Sequence, residues 1–103
     1  MSAIDSVLNR IENYRDTVIE WQKNLVSIKA LGPENGGDGE LEKSKYVRSI
    51  LDEIGFDEIK VINAPDDRVS SKIRPNFLAK IFGEDRDKTV WVLAHMDVVP
   101  EGD

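Results

Sequence analysis

Cysteine is missing from the 103 residues, so the chain has no disulfide framework and no thiolate metal site, and any metal must be held by imidazole and carboxylate. Histidine is almost missing too: His95 is the only one. No serine sits in a nucleophile elbow and no second histidine exists to activate one, which excludes triad-type nucleophilic catalysis within the chain. No apolar run approaches the roughly 18 residues of a membrane span. The start, Met1-Ser2-Ala3-Ile4-Asp5, lacks the basic and then apolar regions of an export signal. These absences point to a cytoplasmic protein with no membrane partner. Positive charge is in deficit as well. A net charge of −6 repels a polyphosphate backbone, and no basic stripe overrides it locally, so nucleic acid is not an expected partner.

What remains is an ordinary folding chain, with 40% hydrophobic and 33% charged residues, of a length that suits one domain. From Ile4 to Ile28 the apolar residues Ile4, Val7, Leu8, Ile11, Tyr14, Val18, Trp21, Leu25 and Ile28 recur at steps of three and four. That spacing predicts one long amphipathic helix. It also approaches a heptad seam, but it ends early and mixes Tyr14 and Trp21 with aliphatics, so packing against a sheet is favoured over a coiled coil. Leu31-Gly32-Pro33 stops the helix. After the loop Glu34–Gly39, Asp38 is the expected N-cap of a second helix. Glu40 and Glu42 lie near its positive end, Leu41, Val47, Ile50, Leu51 and Ile54 form its apolar side, and Gly55 ends it.

Beyond Gly55 the period changes. Phe56 to Asn63 reads as a strand, Ala64 to Pro75 as a loop, and Asn76 to Phe82 as an alternating strand. The polar turn Gly83–Asp87 predicts a hairpin return along Lys88 to Asp97. That segment is continuously apolar from Val90 to Ala94, as expected of a central strand buried on both faces. The order of elements is α/β. Trp21 and Trp91 lie inside apolar patterns and are expected in the core.

One loop and one tripeptide are candidates for chemistry. The Gly-rich loop matches neither phosphate-binding pattern and follows a helix rather than a strand. As a calcium loop it would put Lys45 where a bidentate carboxylate is required, so it reads as a capping loop. His95-Met96-Asp97 is different. On an extended chain His95 and Asp97 leave the same face, and a carboxylate beside an imidazole fixes its tautomer and orientation while the other ring nitrogen binds a divalent metal. The plain alternative is a histidine bonded to a surface carboxylate, because His-x-Asp names at most two of the three or four groups a metal site needs.

The segment Thr89-Val-Trp-Val-Leu-Ala-His-Met-Asp-Val-Val-Pro-Glu-Gly-Asp103 resembles the His-x-Asp-x-Val-Pro region of a large family of zinc-dependent amidohydrolases and peptidases. The family includes succinyl-diaminopimelate desuccinylase, acetylornithine deacetylase, aminoacylase and glutamate carboxypeptidase. The order of helices and strands before the motif agrees with it over nearly the whole chain. The resemblance implies an α/β sandwich around a mixed sheet, with residues 1–103 as the N-terminal part of the catalytic domain and no lid or dimerisation domain among them. It implies that His95 ligates one of two zinc or cobalt ions and that Asp97 is the catalytic residue that holds the imidazole. The metals would polarise an amide carbonyl and activate a bridging water, and a glutamate outside these residues would move the proton. The implied substrate is an N-acylated amino acid or small peptide, and the longer protein would be a homodimer through a domain not present here. By itself the chain is expected to be inactive and to bind no metal. A non-catalytic binding or regulatory module with the same fold is the alternative.

Overall fold

The computed structural model describes residues 1–102. In chain order it contains α1 (Ala3–Asn13), α2 (Arg15–Ser27), a 3-10 turn (Pro33–Asn35), α3 (Leu41–Ile54), β1 (Glu58–Pro65) and β2 (Ile73–Lys80). The α/β class read from the sequence is observed, built from three helices and a two-stranded antiparallel sheet.

The single helix expected from Ile4 to Ile28 is divided at Tyr14. Its N–H is shared between the carbonyls of Arg10 at 3.2 Å and Ile11 at 3.0 Å, a one-residue tightening of the ladder. The helical path resumes at once, with Val18 N–H donating to the Tyr14 carbonyl at 2.9 Å. Ser2 and Asp5 form a reciprocal capping box that starts α1. The apolar stripe of α1 is uncovered: Ile4, Val7, Leu8 and Ile11 are all exposed, and no residue of α1 or α2 is buried. The expected packing of this stripe on a sheet is therefore not made among the described residues. Only the C-terminal part of α2 reaches the rest of the molecule, where Asn24 donates to the Tyr46 hydroxyl of α3 at 2.8 Å.

α3 ends where the sequence predicts, on Gly55, whose φ of 84° is a left-handed cap that a side chain would strain. Its start differs. Glu40, not Asp38, holds the N-cap position, and Asp38 instead accepts hydrogen bonds from the Ser70 N–H at 2.7 Å and the Ser70 hydroxyl. Asp38 thereby ties the Gly-rich loop to the loop between the strands. α3 lies over the sheet face that carries Ile73, Pro75 and Phe77, with Val61 and Asn63 paired beside them.

β1 and β2 pair from Glu58–Lys80 to Pro65–Ile73, so both strands run further into the expected 64–75 loop than the sequence suggested. Pro75 reads as a breaker in sequence, but a two-stranded sheet consists only of edges, where a missing N–H is tolerated. The connecting turn folds around Val69, the largest fully buried side chain. At the open end, Asp57 accepts from the Phe82 N–H at 2.7 Å and its own N–H donates to the Lys80 carbonyl at 3.0 Å, which closes the ladder.

The hairpin expected between Asn76–Phe82 and Lys88–Asp97 is not formed. β2 pairs with β1 alone, and the apolar segment from Val90 to Ala94 has no ladder partner among the described residues. Val92 is 88% and Leu93 86% exposed, and Trp91, expected in the core, is exposed as well. A strand apolar on both faces is stabilised mainly by layers that cover it, and no helix of the described residues reaches this one. Trp21 is half-buried.

Candidate metal-ligating motif

The segment carrying the motif is held at one place. Immediately after it, Val98 N–H donates to the Ala30 carbonyl at 3.0 Å, and Leu31 and Val98 form an isolated parallel bridge. Ala30, which supplies the acceptor, is fully buried, while Val98, which supplies the donor, is 43% exposed. The neighbouring Leu31 carbonyl accepts from Gly39 N–H at 2.9 Å. The residues after α2, the Gly-rich loop and the residues after Asp97 therefore meet at Leu31. Sequence reasoning missed this junction, because a single parallel rung between residues 67 positions apart leaves no local pattern.

Within the motif, His95 and Asp97 are in contact. Nδ1 of His95 lies 2.9 Å from the Asp97 carbonyl oxygen and 3.1 Å from its Oδ1. Both oxygens can only accept from the ring, so Nδ1 carries the hydrogen, and in the neutral ring Nε2 is then the nitrogen with the lone pair. The His95 side chain is 83% exposed, which leaves Nε2 accessible. This is the tautomer that coordination of a metal through Nε2 uses.

The residues present do not complete a metal site. Among the described residues no three His, Cys, Asp or Glu side chains gather where they could hold an ion. His95 supplies one donor, and Asp97 is engaged with Nδ1. The remaining strong electrostatics lie elsewhere and are structural. Glu40 receives the Arg74 guanidinium at 2.9 and 3.0 Å, and Asp66 receives both Arg74 and Arg68. Hydrogen bonds from the Arg68 side chain, then from its backbone N–H, hold the Asp66 carboxyl well below the usual carboxylate range. Hydrogen bonds from the Ser70 side chain and backbone lower Asp38 in the same way. A groove of about 430 Å³ between the Gly-rich loop and Ser70–Ser71 is lined by Lys29, Leu31 and Asp38, and neither His95 nor Asp97 borders it.

The chain is similar to archaeal metallohydrolases. It is 38% identical to an uncharacterized metallohydrolase of Methanococcus maripaludis and 34% identical to an uncharacterized metallohydrolase of Methanocaldococcus jannaschii, each over 85% of this chain and 22% of the relative. The chain thus spans about a fifth of the length of the curated relatives it matches. No protein-family model and no solved structure matches it. No helix among the described residues is long and apolar enough to cross a membrane.

Proposed function

We propose that this chain is the N-terminal part of the catalytic domain of a metal-dependent hydrolase that cleaves the amide bond of N-acylated amino acids or small peptides. His95 contributes one metal donor through Nε2, and Asp97 positions the ring. Zinc or cobalt is the metal, and the other ligands and the general base come from further polypeptide. The observation that carries the reading is the state of the single histidine: Nδ1 is occupied by Asp97 and Nε2 is exposed and free to coordinate. The similarity to two proteins named metallohydrolases supports the general class. The amide substrate rests on the resemblance of His95–Pro100 alone.

The test is hydrolysis of N-succinyl and N-acetyl amino acids by the longer protein supplied with zinc or cobalt. His95→Ala is expected to abolish turnover, and undiminished activity in that variant would overturn the assignment. A protein that binds no metal and hydrolyses nothing would instead be the non-catalytic module.

A further inference from the structure

Gly37 sits against Leu31 more closely than any side chain allows. A Cβ placed on Gly37 would lie 2.6 Å from the Leu31 carbonyl carbon and closer still to its oxygen and Cβ, which are backbone or stem atoms that cannot swing away. Gly32, in the same loop, is different. A Cβ there would meet only the carboxylate end of the flexible Glu34 side chain. Gly37 is fixed in this approach by its own N–H, which donates to the Gly32 carbonyl at 3.0 Å, while Gly39 N–H holds the Leu31 carbonyl at 2.9 Å. Gly37 and Gly39 therefore both close on the Leu31 carbonyl. Leu31 and its buried neighbour Ala30 in turn hold Val98, one residue beyond the Asp97 that binds the imidazole.

We propose that Gly37 is a positioning residue for His95: its missing side chain lets the Gly-rich loop close on Leu31, which fixes the Ala30–Val98 rung and thereby keeps Asp97 on Nδ1 of the ring. The segment 88–97 has no ladder partner among the described residues, so this rung is what anchors the motif. Displacing Leu31 releases Val98, lets Asp97 swing away, and frees the imidazole to carry its hydrogen on either nitrogen. The importance of that ring state for catalysis rests on the hydrolase reading above, whereas the ring state itself is measurable with no metal and no substrate.

The chain has a single histidine, so one set of ring nitrogen signals in a ¹⁵N spectrum of the neutral imidazole reports its tautomer without assignment ambiguity. The wild type is expected to show hydrogen on Nδ1, with the Val98 amide protected from exchange. In Gly37→Ala the tautomer is expected to shift toward Nε2–H. Val98 exchange should accelerate about tenfold, as for the loss of one backbone hydrogen bond. The β1–β2 amides should stay protected. Gly32→Ala, whose added Cβ would meet the movable carboxylate of Glu34, is expected to leave both signals unchanged. Should Gly37→Ala fail to fold, Val98→Pro removes the donor directly and is expected to give the same tautomer shift. An unchanged Nδ1–H signal in Gly37→Ala, or in Val98→Pro if that must serve instead, would overturn the proposal. So would an equal shift in Gly32→Ala. Absence of hydrolysis in the longer protein would sink the hydrolase reading and leave this one standing.

Discussion

At the scale of single residues, the least exposed ion pair joins positions far apart in sequence. Arg74 and Glu40 are 34 residues apart, and their side chains are 19% and 8% exposed. Removing one partner leaves the other charge poorly hydrated, so Arg74→Met is expected to cost about 3 kcal/mol in urea denaturation. Arg74→Lys should recover little of it, because an ammonium cannot reproduce the two-point contact. The same cluster sets the acid limit. Asp66 is depressed by its arginine partners, so its folded form binds a proton less readily than the unfolded chain does. Its contribution is complete above the ordinary carboxylate range and is lost as pH falls below that range toward the depressed folded value. Acid titration of stability by circular dichroism is expected to show this loss below about pH 4, and Asp66→Asn should flatten it. The partners of Arg74 were not legible in sequence, since charge patterns carry no range. Asp38 is the instructive case: its spacing suited a helix cap, and only the proximity of Ser70 redirected it.

At the scale of elements, periodicity was a good guide to existence and a poor one to partners. The three-and-four repeat from Ile4 to Ile28 located helical chain throughout, and Leu51 to Gly55 located a helix end. The break at Tyr14 was not legible, because sharing one N–H between two carbonyls changes no side-chain spacing. Apolar spacing also says that a face wants cover but not that cover is within reach. The face of α1 is bare, so Ile11→Ser is expected to change the stability of this chain by less than about 0.5 kcal/mol in urea denaturation. A large loss would mean that the face is buried against another molecule. Trp91 gives a parallel reading. In a Trp21→Phe variant, the remaining indole is expected to be quenched by acrylamide nearly as freely as in an unfolded peptide, since 65% of Trp91 is exposed.

At the scale of the whole molecule, the exposed elements add up to a measurable excess of surface. The chain presents 8332 Å² to solvent, against about 5,800 Å² for a compact chain of this mass. Its radius of gyration is 16.6 Å, where about 13 Å is usual for this length. An excess of this order matches a large permanent interface and supports the proposal that further polypeptide covers α1 and the segment from Val90 to Leu93. The 103-residue chain is therefore expected to bind a hydrophobic dye such as ANS strongly and the longer protein weakly. With one free imidazole donor, the chain is also expected to show no stoichiometric tight zinc binding by calorimetry, and a sub-micromolar site would contradict that. The sequence by itself determined the helical segments, the existence of β1 and β2 and the pairing of His95 with Asp97, because each depends on residues within a few positions of one another. Only the tertiary structure decided that Asp38 binds Ser70, that Pro75 lies inside a strand, and that the Ala30–Leu31 segment holds the exit of the motif. Those outcomes depend on which distant backbone comes within hydrogen-bond reach. His95-Met96-Asp97 draws on both: its spacing sets which two groups can meet, and the rung at Val98 fixes where they do.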